Sequence, residues 1–113
     1  MVSLTVDEAL LILNGWKDSS ATVVAMANSK FQYFESRLSI RLISRNGKIE
    51  LEGTPGTVLR LDIGRKDVEC AYGDTKDATY LSANVKDRLQ SLAESGVKFI
   101  FPDGSDCLLL LLK

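Results

Sequence analysis

An α+β fold is predicted by three features of this sequence. A capping box opens a short apolar helix at Thr5, alternating apolar residues flank the turn dipeptide Asn46-Gly47, and residues 108–112 are all leucine. The predicted order is an N-terminal helix, an antiparallel β-meander, a second helix and a C-terminal β-hairpin, with the meander forming a curved sheet or a partly open small barrel. Successive strand residues point to opposite faces, so a strand that is leucine at every position needs cover on both. The leucine run is therefore an anchor inside the sheet.

A length of 113 residues suits a single domain, residues 1–113, whose core is large enough to need no disulfide or metal. Hydrophobic residues at 45% and charged residues at 26% are the ordinary mix of a globular protein, so disorder is not the default expectation. Fourteen basic against fifteen acidic residues give a net charge of -1. No cluster of Lys and Arg stands out to displace counterions, which argues against nucleic acid and against an anionic membrane as partners. Two cysteines, Cys70 and Cys107, are too few and too far apart for a disulfide framework or a zinc knuckle. Asp7 and Glu8 interrupt the apolar stretch that a secretory signal would need, and no segment reaches the length of a membrane span. A soluble, cytoplasmic protein is expected.

In Thr5-Val6-Asp7-Glu8 the Thr5 hydroxyl can accept from the Glu8 amide while the Glu8 carboxylate reaches back to the Thr5 amide. Val6, Ala9, Leu10 and Leu13 follow at helical spacing, with Asn14-Gly15 as the expected stop before Trp16. Leu11 and Ile12 widen the apolar face, so this helix is expected to be mostly buried or partnered. Residues 21–27 are apolar apart from one threonine and read as a strand covered on both sides. Residues 30–35 fit either a strand, through Phe31 and Tyr33, or a helical turn, through Phe31, Phe34 and Leu38. The strand is preferred.

Asn46-Gly47 suits a two-residue type I′ turn, which would set Leu42 opposite Leu51, Arg41 opposite Glu52 and Ile43 opposite Glu50. Gly53-Thr54-Pro55-Gly56 breaks the chain before a strand containing Leu59, Leu61 and Ile63. After a loop at residues 64–67, Val68, Cys70 and Tyr72 alternate in the next strand. Pairing Ile63 with Val68 would set Leu61 against Cys70 and Leu59 against Tyr72. Residues 73–77 are a polar connection. Leu81, Val85, Leu89, Leu92 and Ala93 form a helical stripe ending at Gly96, and residues 97–101, Pro102-Asp103-Gly104 and residues 107–112 make the final hairpin.

The chain contains no histidine, which removes Ser-His and Cys-His pairs, imidazole bases and the commonest transition-metal ligand. Its glycines form neither a dinucleotide fingerprint nor a P-loop. Four constellations remain. Arg37, Arg41 and Arg45 fall on one strand face, as an anion or nucleic-acid stripe or, the favoured reading, as a solvated face ion-paired across the strands with Glu50 and Glu52. Asp62 and Glu69 would oppose one another, as a divalent-metal or acid/base pair or, the favoured reading, as surface charges neutralised by Arg60, Arg65 and Lys66. Residues 103–106, Asp-Gly-Ser-Asp, share part of a calcium-loop pattern but lack its alternating ligands and final glutamate, so a hairpin turn is preferred. Cys70, Cys107 and the aromatics Trp16, Phe31, Tyr33 and Phe34 are assigned to the core rather than to a reactive thiol or a ligand pocket.

No catalytic residue, cofactor-binding residue or metal ligand is assigned, and no cofactor is implied. The leading expectation is a non-catalytic protein-interaction or self-association domain, a homodimer in its simplest form, because the apolar segments 10–13, 23–26 and 108–112 exceed what two short helices cover. A small-molecule-binding domain with its cavity between the sheet and the second helix is the first alternative. A histidine-free hydrolase or metal enzyme using Asp62 and Glu69 is the second.

Overall fold

In the computed structural model, residues 2–29, 32–54, 56–73, 84 and 93–112 are described. Among them the elements run β1 (Val2–Leu4), α1 (Val6–Asp18), β2 (Thr22–Asn28), β3 (Tyr33–Ile43), β4 (Lys48–Glu52), β5 (Val58–Asp62), β6 (Glu69–Gly73), β7 (Ala93–Ile100) and β8 (Asp106–Leu112). The fold is α+β: the eight strands form one open antiparallel sheet in the order β1-β6-β7-β8-β2-β3-β4-β5, with α1 against it.

Helix α1 starts as its sequence dictates, with the Glu8 amide donating to Thr5 Oγ1 at 3.1 Å and the Thr5 amide donating to Glu8 Oε1 at 2.9 Å. It does not stop at Asn14-Gly15. Trp16 is buried beside Ala9, Leu10 and Leu13, and holding it there extends the helix to Asp18. The end is a Schellman motif, in which the Ala21 amide donates to the Trp16 carbonyl and the Ser20 amide to the Lys17 carbonyl, both at 3.0 Å. Ser20 occupies the left-handed position at φ 55°. Ser20→Gly is accordingly expected to raise stability by about 1 kcal/mol, seen as a higher urea midpoint at unchanged slope. Leu11 is 73% exposed, so α1 buries one stripe rather than most of its circumference.

The leucine strand is central. β8 pairs with β7 on one side and with β2 on the other, joining the two halves of the sheet. Leu109 lies in the core beneath α1 with Val23, Ala25, Leu38, Val97 and Phe99, while Leu108, Leu110, Val24 and Met26 alternate to the opposite face. Those four are no more than 4% exposed, so both faces of β2 and β8 are covered within this one chain.

Two expected pairings and one expected helix end are corrected. Asn46 has no positive φ, and the Gly47 amide donates to the Ser44 carbonyl at 3.1 Å while Gly47 takes φ 92°. The loop is therefore a three-residue one, a type I turn followed by a left-handed glycine. Pairing shifts by one to Ile43 opposite Ile49 and Leu42 opposite Glu50, then again past an irregularity at Arg41 to Ile40 opposite Leu51 and Ser39 opposite Glu52. Leu42 is thereby turned outward and half exposed while Leu51 is buried. A final hairpin forms, but its strands are Ala93–Ile100 and Asp106–Leu112 rather than 97–101 and 107–112; it reuses the same turn, with Gly104 at φ 88° and its amide donating to the Phe101 carbonyl.

The second correction concerns the meander, which ends at β5. Cys70 faces Phe99 and Leu4, and Tyr72 faces Val97 and Val2; neither meets Leu61 or Leu59. β1, absent from the sequence expectation, supplies the outer partner of β6. Third, the second helix falls largely outside the described residues, but its expected end does not form, because Ala93 and Gly96 belong to β7. Gly96 serves there as clearance rather than as a helix stop. A Cβ on it would meet Leu110 Cδ2 at 2.7 Å and Leu108 Cδ1 at 3.3 Å.

β5 and β6 stand six strand spacings apart in the sheet, about 29 Å if it were flat. The six residues joining them reach only about 24 Å when fully extended. The sheet must curl, and curling carries the β5 edge round toward the β7–β8 turn.

Candidate functional site: a cleft along the β5 edge

The curl leaves a cleft of about 420 Å³. One wall is β5 along its whole length, Val58–Asp62. The other is built from the end of β2, the start of β3 and the β7–β8 turn. Apolar side chains contributed by Ala27, Phe34, Leu59, Leu61, Phe101 and Cys107 line it, together with Arg60, Asp62, Arg65, Asp103 and Asp106.

Among the described residues, the β5 backbone on this side has no partner strand. Ile63 donates to the Gly47 carbonyl at 2.9 Å and the Thr57 carbonyl accepts from Gly53 at 3.1 Å, which sets the phase of the ladder. Residues 57, 59, 61 and 63 turn their amides and carbonyls toward β4. Val58, Arg60 and Asp62, alternating with them, turn theirs toward the cleft.

The ionic groups around the cleft are mostly committed. Arg60 Nε lies 3.6 Å from Glu50 Oε1, and Arg41 Nη1 lies 3.7 Å from both Glu50 and Glu52. Asp103 accepts from the Ser105 hydroxyl at 2.6 Å and the Ser105 amide at 2.9 Å. Those bonds, and the nearby Arg65 charge, hold its carboxyl below the ordinary range. Asp106 differs. Burial raises its pKa, an effect partly offset by Lys98, and its buried Oδ1 has no hydrogen-bond partner among the described residues. Burial, reinforced by the Asp106 charge, pushes the Cys107 thiol up to about 12, so it stays protonated.

The four constellations are resolved as follows. Arg41 reaches both glutamates as an exposed ion-pair group, whereas Arg37 stands opposite Val24 and Arg45 lies in the turn. Asp62 and Glu69 do not face each other: Asp62 is opposite Lys48 and accepts from the Gly64 amide at 3.2 Å, and Glu69 is opposite Ile100. The first Asp of residues 103–106 is the acceptor of the turn itself. Cys70 and Cys107 flank Phe99 on successive strands and are both buried. Two strand spacings, about 9.6 Å, are too wide for a disulfide.

Of the aromatics, Trp16 is core, Tyr33 is exposed, Phe34 lines the cleft and Phe31 lies outside the described residues. No local signal marks Phe101, Asp106 or the β5 edge as parts of one site. They meet only because β2 pairs with β8, which sets Asn28 opposite Asp106. Among the described residues, no three of His, Cys, Asp or Glu are grouped to hold a metal ion, and no helix is long and apolar enough to cross a membrane. No family model, curated protein or solved structure matches this chain.

Proposed function

We propose that this chain is a non-catalytic protein-interaction domain and that the cleft beside β5 is its binding surface. The observation that carries the reading is the kind of group the cleft presents. Its ionisable side chains are largely tied into turns and ion pairs, and its thiol is held protonated, so apolar side chains and a strand edge unpaired among the described residues are what it offers a partner. A small amphipathic ligand is a second reading, favoured by a volume of about 420 Å³, within the range of ligand pockets.

Self-association keeps only part of its original motive: of segments 10–13, 23–26 and 108–112, the apolar residues 23–26 and 108–110 are buried inside the chain, whereas Leu11 is 73% exposed. Asp62 and Glu69 lack the opposition on which the hydrolase reading depended.

Random twelve-residue peptides displayed on phage and selected against the whole chain test the proposal. Asn28→Trp places bulk at an exposed position in the cleft wall. Enriched peptides are expected to bind this variant about tenfold more weakly, a difference of about 1.4 kcal/mol. Failure to enrich any peptide, or equal binding to both proteins, would remove the cleft as an interaction surface.

A further inference from the structure

We infer that the partner enters as an extended segment that adds a strand to β5, with apolar and basic residues alternating along it. This rests on the cleft being the binding surface and goes further by naming how a partner is held. β5 is five residues long and pairs with β4 alone among the described strands. Its phase directs the amides and carbonyls of Val58, Arg60 and Asp62 into the cleft, a ready template for main-chain hydrogen bonds.

Side-chain alternation sets the partner's pattern. Leu59 and Leu61 face the core side with Ile49 and Leu51, and Phe34 and Phe101 lie on the cleft's apolar side. An added strand would place every second residue against this surface, which favours apolar side chains there. The remaining residues would fall on the side of Asp62 and Asp106. The cleft is lined by three carboxylates, Asp62, Asp103 and Asp106, against two guanidiniums, Arg60 and Arg65, and the Lys98 charge reaches Asp106 from outside the lining. Arg60 is already engaged by Glu50, and the buried Asp106 Oδ1 has no hydrogen-bond partner among the described residues. Basic residues complement that lining.

The opposite wall selects a single segment over a second copy of the sheet. The β7–β8 turn, Ser29 and Gln32 stand across the cleft from β5. A second copy pairing edge to edge would have to bring its own neighbouring strands and loops into the same space. One extended segment brings none.

The test uses the full ¹⁵N-labelled chain and the blocked peptide acetyl-Val-Lys-Val-Lys-Val-amide. Two further versions are N-methylated on alternate residues, one on the valines and one on the lysines, and a fourth carries glutamate in place of lysine. Strand addition predicts amide shifts at Val58, Arg60 and Asp62, loss of binding for one methylation phase and retention for the other. The glutamate peptide should bind more weakly. Arg60→Pro removes a cleft-facing amide at an edge position where proline is tolerated, whereas Arg60→Ala keeps the amide. The proline variant should weaken binding about tenfold relative to the alanine variant.

Equal binding of both methylated peptides overturns strand addition, and it does so even if Arg60→Pro fails to fold. If the shifts still map to the cleft and Asn28→Trp abolishes them, the interaction surface survives that result. No shift in the cleft with any probe at millimolar concentration overturns the strand-addition proposal; unchanged phage-peptide binding to Asn28→Trp independently removes the cleft reading. Shifts at β5 that depend on protein concentration, with light scattering at twice the chain mass, would assign the edge to a second copy instead.

Discussion

Gly64→Ala is expected to cost at least about 3 kcal/mol, with a large fall in the denaturation midpoint or failure to fold. The reason is backbone crowding. A Cβ on Gly64 would overlap the Asn46 carbonyl oxygen and lie 2.9 Å from the Asn46 carbonyl carbon and 3.5 Å from Gly47 Cα. Neither partner can withdraw at low cost. The Asn46 turn is tied by the Ser44 amide on the Lys48 carbonyl at 2.9 Å, and the Ile63 amide fixes the approaching chain to Gly47 at 2.9 Å. Gly15→Ala is the matched control. Nothing lies within 4 Å of a Cβ on Gly15, and a helix interior favours alanine over glycine by about 1 kcal/mol. If Gly64→Ala unfolds at the same denaturant concentration as Gly15→Ala, the turn and the link after β5 do not meet as described.

This contact bears on the proposed site. The same approach that excludes a side chain from Gly64 anchors the end of β5, whose unpaired edge forms one wall of the cleft. A rigid edge is better prepared to receive an extended segment than one that must be ordered on binding. Loss of the Gly64 contact should therefore weaken peptide binding in any variant that still folds.

Local signals were the most legible in the sequence. The capping box at Thr5 and Glu8 forms, and the apolar run near residues 21–27 becomes β2, because each depends on residues close together in the chain. The hairpin at Asn46-Gly47 was legible as a hairpin but not in register. That dipeptide fits either a two-residue or a three-residue loop, and Ser44 participates in the latter: its Oγ accepts from the Lys48 amide at 2.9 Å. Helix α1 outran its apparent stop because burial of Trp16 outweighs the helix-ending preference of Gly15.

The β5–β6 pairing failed for a different reason. Matching apolar faces made neighbours in sequence look like neighbours in the sheet, whereas β6 found β1 and β7 and left β5 at the edge. The cleft inherits that non-local choice. Its polar residues were visible individually, but nothing in their spacing brought Asn28 and Asp103 together in the wall facing β5.

Leu110→Ala is expected to cost about 2–5 kcal/mol, as much as a typical buried leucine, although Leu110 faces away from the core beneath α1. It is fully buried, and its Cδ2 occupies the space above Gly96 that a Cβ would otherwise fill. Gly96→Ala should cost less, because the atom it meets belongs to a side chain that can turn. Combining the two brings in a methyl where leucine has been removed, so the double variant should be less destabilised than the sum, with coupling of about 0.5–3 kcal/mol. Leu109→Ala, which opens the core on the other face, should not couple favourably with Gly96→Ala. Urea midpoints for the five variants decide the matter. Strict additivity of Leu110→Ala with Gly96→Ala, or a loss below about 1 kcal/mol for Leu110→Ala, would mean that the second face of the leucine strand is not packed.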